Sequence, residues 1–173
     1  SFPTRRSSDL KMGYAIAEAL RDKGAIVTLI SGPTHLSLPE GINVVKVESA
    51  EDMFQAVTER FAKQDIVIKA AAVSDYTPMD ILEHKLKKQE GGLSVQFKRT
   101  KDILKYLGEN KTHQYLVGFA AETQNIEQYA LDKLKRKNAD VIISNNVGDT
   151  SIGFSSDDNE LTMHFKNNEK VNI

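Results

Sequence analysis

Asp65 to Val73, DIVIKAAAV, is a near-continuous apolar run of strand length that closes on three alanines and is followed by Ser74, Asp75 and Tyr76. Such a run fits a strand buried on both faces, as parallel sheets require. On its amino-terminal side, Asn43 to Val47 reads as a short strand. Ser49 then offers an N-cap, Glu51 and Asp52 occupy a first turn, and Met53, Val57 and Phe61 repeat on one helical face. Further out, Ala25 to Ile30 is a strand closed by Ser31-Gly32-Pro33, and Lys11 to Lys23 is a helix with Met12, Ile16, Ala19 and Leu20 on its apolar side. On the carboxyl side, Leu93, Val95 and Phe97 alternate as in a half-exposed strand. Asp102 to Leu107 is a short helix, Tyr115 to Phe119 a strand, Thr123 to Asn138 a helix and Val141 to Ser144 a strand. Strands alternating with helices need crossover connections, so the fold predicted is α/β, a doubly wound Rossmann-like parallel sheet with helices on both faces. Leu161 to Phe165 and Val171 to Ile173, either side of Asn167-Asn168, predict a C-terminal β-hairpin.

The chain has 173 residues, 40% hydrophobic and 27% charged, which suits one compact domain. A formal net charge of -1 gives no global basic field, so nucleic acid and anionic membrane are not expected partners. Without cysteine there is neither disulfide nor thiolate chemistry, and the four scattered histidines show no metal-ligand spacing. No apolar stretch approaches the roughly 20 residues of a membrane span, and a cytoplasmic location is expected. Ser1 to Leu10, SFPTRRSSDL, has no periodicity and matches the in-frame translation of a common sequencing adapter. Residues 1–10 are therefore read as a non-native leader and residues 11–173 as one domain cut at both ends.

In an open α/β sheet ligands bind beyond the carboxyl ends of the strands. That rule picks out Ser31 to Pro33, Ala70 to Tyr76, Gly118 to Thr123 and Ser144 to Val147. Their small residues either admit a ligand to the backbone or allow close helix packing. Lys85, Lys87 and Lys88 (KLKK) either close over phosphates or form a solvated loop. Lys133 and Lys137 are four apart on one helical face, where they either grip a polyanion or complement the helix dipole.

Taken in order, KMG (residues 11–13), SGP (31–33), AAAVSDY (70–76), KLKK (85–88), KDIL (101–104), VGFAAET (117–123), KLKRKNAD (133–140) and GFSSDDNE (153–160) resemble the synthetase domain of bacterial phosphopantothenoylcysteine synthetase. The resemblance covers nearly everything after the leader, and its specificity lies in the order and spacing of motifs that are weak singly. It implies a ligase that joins cysteine to 4'-phosphopantothenate with CTP through an acyl-cytidylate, with Mg2+ on the triphosphate. It also implies a homodimer and a fused decarboxylase. By motif, Lys85 is implied as the catalytic lysine. Lys69, Ala70 and Ala71 would approach the nucleotide through their backbone, and Asp75 would bind it or its metal. Lys101, Asp102, Ile103, Leu104 and Phe119 would border the cytidine, and Lys133 and Lys137 would add positive charge.

Members of that family precede Lys-Met-Gly with a central strand, a glycine-rich segment, an asparagine and Ser-Ser-Gly; here Ser7-Ser8-Asp9-Leu10 stands at the last of these. The chain alone is thus expected to be inactive, and to expose two strand edges that favour aggregation. Two other readings are open. Tyr129 and Lys133 have the spacing of a short-chain dehydrogenase using NAD(P), although the serine that must act with them is lacking. An inactive nucleotide-binding fragment is the other.

Overall fold

The computed structural model describes residues 7–79, 94–122, 125–146 and 161–173. Along the chain they form α1 (Ser7–Asp22), β1 (Thr28–Ser31), β2 (Asn43–Lys46), α2 (Ala50–Phe61), β3 (Ile66–Lys69), β4 (Tyr76–Pro78), β5 (Phe97–Arg99), α3 (Ile103–Asn110), β6 (Tyr115–Glu122), α4 (Ile126–Arg136), β7 (Val141–Asn146), β8 (Leu161–Phe165) and β9 (Lys170–Asn172).

The helix starts follow from local chemistry. Ser49 caps α2 by accepting from the Asp52 N–H at 3.0 Å, and the Asp52 carboxylate accepts the Ser49 N–H at 2.8 Å. This reciprocal pairing satisfies two amide donors that helix geometry leaves without partners. Asp102 caps α3 in the same way through the Lys105 N–H at 3.0 Å. The start of α4 differs from the Thr123 expected: its N-cap is Asn125, in the left-handed region at φ 49°. The first helix begins at Ser7, ahead of the Lys11 expected.

Among the described residues three sheets result. β1 and β2 pair in parallel, and a second sheet runs β3-β6-β7-β8-β9. In it β3, β6 and β7 are parallel, while the predicted hairpin β8–β9 docks antiparallel on β7, so the sheet is mixed. The third sheet is an antiparallel ribbon of β4 and β5. Here the structure trims an expectation: Val95 lies outside any strand while Phe97 falls in one, and all three residues of that strand are exposed. Residue 93 lies outside the described residues. No ladder joins β1 to β3, and a groove of about 610 Å³ runs between them, bordered by Tyr14 and Ala17 of α1 and by Met53 and Val57 of α2. Ile26, on its rim, is fully exposed (100%).

The main core lies on one face of the larger sheet, where Leu116 and Ile142 meet Leu104 and Leu107 of α3, Ala130 and Leu134 of α4, and Met53 and Phe61 of α2. On the other face Val117, Val141 and Ile143 form a second cluster with Ile68, Phe119 and Met163. The two sets alternate along each strand, as the two-residue period of a strand demands. Asp140 fixes the start of β6 against β7: its carboxylate accepts the Leu116 N–H at 2.8 Å and binds Lys111 at 2.6 Å and Lys166 at 3.0 Å. Among the described residues no helix is long and apolar enough to cross a membrane.

Candidate functional site

The parallel strands β3 and β6 end side by side, with Lys69 paired to Gly118. This is the carboxyl edge at which open sheets bind ligands. The approach of α3 to that edge depends on Gly118 having no side chain. A Cβ there would lie 2.7 Å from Leu104 Cδ2 and 2.9 Å from Ile142 Cδ1.

Past Lys69 the backbone leaves the sheet, so Ala70 to Asp75 form a loop rather than the end of the strand that the apolar run suggested. The loop is tied down from the far side of the ribbon. The Thr100 N–H donates to the Asp75 carbonyl at 2.9 Å and the Thr100 hydroxyl to the Ser74 carbonyl at 2.5 Å. Asp75 is thereby tied to the residue two positions before Asp102, and it is itself exposed.

Three lysines reach this edge. Lys69 shares its face of β3 with Val67 and donates from Nζ to the Ala71 carbonyl at 2.8 Å. From α4, Lys133 donates to the Phe119 carbonyl at 2.7 Å. Lys137, at the α4 C-cap, pairs with the carboxylate of Asp102. Gly108 of α3 makes that pairing reachable, because a Cβ there would fall 1.8 Å from the Lys137 carbonyl oxygen. Burial pushes the Lys69 ammonium down to about 8, and the positive charges of Lys133 and Lys137 act in the same direction against those of Asp102 and Asp75. Asp102 is raised by burial but more strongly lowered by the Lys137 ammonium and the Lys105 N–H, so its carboxyl ends below the usual range.

The arrangement is thus a cation-rich strand edge flanked by the small residues Ala70 and Ala71, both half-buried. Ala70, Ala71, Asp75, Asp102, Lys69, Lys133 and Lys137 are brought together at it. Phe119 contributes its carbonyl while its ring packs in the second cluster. Ile103 and Leu104 are core residues, 2% and 3% exposed, that hold α3 against β6. Lys101 is not brought to the edge; its ammonium binds Glu51 at 2.6 Å and lies 4.6 Å over the Phe54 ring. Lys85, Lys87 and Lys88 lie outside the described residues. Tyr129 is 49% exposed while Lys133 turns to Phe119, so the pair does not form the shared carbonyl-binding geometry of a dehydrogenase.

Sequence reasoning missed two features. It treated Lys69 as a backbone contact only, although a lysine inside an apolar strand was itself a signal. It also gave His164 no role, whereas the structure buries it with Ser144, Oγ to Nε2 2.9 Å, and burial lowers its pKa. That pair borders a small cavity of about 220 Å³ with Glu127 and Lys170. For a metal, the described residues hold no group of three or more His, Cys, Asp or Glu side chains. Among the described residues Asp75 and Asp102 bring carboxylates to this edge and Asp102 is bound to Lys137, a donor set that fits Mg2+ only if it is carried mainly by phosphates and water.

Residues 2–173 match the family model described as DNA/pantothenate metabolism flavoprotein C-terminal domain. The chain is 52% identical over 170 residues to the coenzyme A biosynthesis bifunctional protein CoaBC of Bacillus subtilis, covering 98% of this chain and 42% of that protein. To the protein of the same name from Haemophilus influenzae it is 45% identical over 161 residues, 92% of this chain and 40% of the other. It thus spans about two fifths of the length of these relatives. The crystal structure of the C-terminal domain of a CoaBC protein superposes with a TM-score of 0.78 at 44% identity, covering 94% of this chain and 72% of that one.

Proposed function

We propose a ligase reaction for this chain, which belongs to the DNA/pantothenate metabolism flavoprotein C-terminal domain family: the joining of cysteine to 4'-phosphopantothenate, driven by CTP, in coenzyme A biosynthesis. The substrate carboxylate attacks the α-phosphorus of CTP, pyrophosphate leaves, and an acyl-cytidylate forms. Cysteine's amine then attacks the acyl carbon, losing a proton as CMP departs.

One observation carries this reading. Lys69, Lys133 and Lys137 converge on a strand edge flanked by the small residues Ala70 and Ala71. Fixed cations there stabilise the negative charge that grows on the departing pyrophosphate, and they need no reorganisation to do so. Mg2+ bound with the triphosphate would neutralise and orient its oxygens, with Asp75 as the protein's oxygen donor. Lys85, placed by resemblance alone, would be the lysine that acts on the acyl transfer. A homodimer, an attached decarboxylase and a cytoplasmic setting belong to the same proposal.

Two proteins test it: the chain itself, and the chain with the corresponding segment of the Bacillus subtilis relative ahead of Lys11. Each is mixed with CTP, 4'-phosphopantothenate and Mg2+, and pyrophosphate is measured. Release by the extended protein, with a cysteine-containing product once cysteine is added, supports the ligase. No release from either removes it. In the extended protein Lys85→Gln should cut turnover by at least a hundredfold, the usual scale for one stabilising group, while CTP still binds. Unchanged turnover would reject the role of Lys85.

A further inference from the structure

Asn138 ends one helix and caps another. Just past α4 it takes the left-handed conformation, φ 47°; its N–H donates to the Lys135 carbonyl at 3.2 Å and the Ala139 N–H to the Leu134 carbonyl at 3.1 Å. This reversal commonly closes a helix, and glycine adopts it at least cost. Asparagine brings a side chain to the same position, and both ends of its amide are used. Nδ2 donates to the Gly108 carbonyl at 2.8 Å, and Oδ1 accepts from the Lys166 ammonium at 3.1 Å. The ammonium can only donate, so it fixes which end of the amide faces Gly108. Gly108 lies in the last turn of α3, whose carbonyls find no donor within their own helix.

The effect reaches the other end of α3. Gly108 touches the Lys137 carbonyl, with no room for a Cβ between them. Asp102 stands at the α3 N-cap, about 9 Å back along the helix axis at about 1.5 Å per residue. The Lys137 side chain must therefore run along α3 to pair with that carboxylate, and it is only 16% exposed. A lysine that spends its reach in this way has little slack. Fraying or displacement of the α4 end takes its ammonium away from the strand edge.

We infer that Asn138 is a positioning residue for the nucleotide site: by joining the ends of α3 and α4 it holds the Lys137 ammonium where the phosphate chain of a nucleoside triphosphate binds. The inference rests on the ligase reading for its nucleotide, and adds to it a residue that touches no substrate. Asn138 is itself exposed, so its replacement leaves no hole in the core.

The test is calorimetric titration with CTP and Mg2+ of the chain and of its form extended ahead of Lys11. The variants are Asn138→Gly, Asn138→Asp, Lys137→Met, and Lys137→Met combined with each of the first two. Glycine keeps the left-handed turn and removes only the side-chain bonds. Aspartate keeps the acceptor for Lys166 but not the donor to Gly108, and it decides the question if the glycine variant does not fold. Each Asn138 variant should weaken CTP binding about fivefold, and Lys137→Met about tenfold, the scale of a lost hydrogen bond to a charged group. In the Lys137→Met background the Asn138 changes should matter less than about twofold, because the ammonium they position is gone. A loss of general stability would act alike in both backgrounds. Unchanged affinity in the Asn138 variants, parent-like binding by Lys137→Met, or an equal Asn138 effect in both backgrounds overturns the inference and leaves the ligase reading intact. If the parent binds no CTP in either form, both fall.

Discussion

The carboxylate of Asp102 performs two jobs at once: it caps α3 through the Lys105 N–H and holds the ammonium of Lys137 at the far end of α4. Two helices distant in sequence are thereby fixed to one strand edge. The cap needs only an oxygen acceptor, whereas the tie to Lys137 uses the charge.

These two roles separate by substitution. Asp102→Ala should cost about 1 kcal/mol more stability than Asp102→Asn, because asparagine still caps a helix. The carboxylate is 46% exposed, so solvent screens the ion pair and its loss should show less than the loss of the cap. Urea unfolding of both variants decides it; equal destabilisation would mean the cap is not what matters.

Gly118→Ala should destabilise the protein by about 1–3 kcal/mol, the usual range for overpacking a core. The new methyl group meets the ends of Leu104 and Ile142 at 2.7 and 2.9 Å. Because those atoms terminate flexible side chains, adding Leu104→Val should recover part of the loss. Thermal unfolding that shows no recovery in the double variant would place the strain elsewhere.

Asp140 governs acid stability. Burial raises its carboxyl pKa, but hydrogen bonds from Lys111, Leu116 and Lys166 outweigh that and the net shift is downward. A carboxyl with a depressed folded value stabilises the fold above the unfolded pKa and loses that contribution as pH falls through the folded one. Asp140→Asn should therefore cost about 2 kcal/mol at pH 7, where it strands partly buried Lys111, and much less at pH 3. Urea midpoints at the two pH values check this, and an equal gap at both would refute it.

Lys69 predicts the opposite slope. Its folded value of about 8 lies below its usual 10.5, so the unfolded chain holds the extra proton between them. Stability without ligand should rise with pH across that window, and below it the charged side chain costs the fold on the order of 3 kcal/mol. Lys69→Met should remove the slope and stabilise the unliganded protein at pH 7. A variant no more stable than the parent, with the slope retained, would show that Lys69 is not the group responsible.

Much of the fold was legible in the residues because its determinants are local. Ser49 and Asp52 cap α2 by their own hydrogen bonds, and the period of Met53, Val57 and Phe61 defines its buried side whatever packs there. The Asn167-Asn168 turn likewise set the hairpin, with Asn168 left-handed at φ 63°. Local pattern was a poorer guide where partners decide. DIVIKAAAV read as one strand, yet only Ile66 to Lys69 pair with β6, and the alanines became the loop beside the site.

Sequence by itself therefore determined the α/β class, the cap of α2 and the order of motifs that mark the family. The tertiary structure alone decided which cations meet. In the sequence Lys133 and Lys137 could have served only the helix dipole and Lys101 stood among the residues implied to border the cytidine, but Lys101 turns to Glu51 while Lys69 faces the α4 pair. The reason is that charge acts through space. Strand register and the close contact of α3 with α4 at Gly108 set the distances between these ammonium groups, and no spacing along one segment contains them.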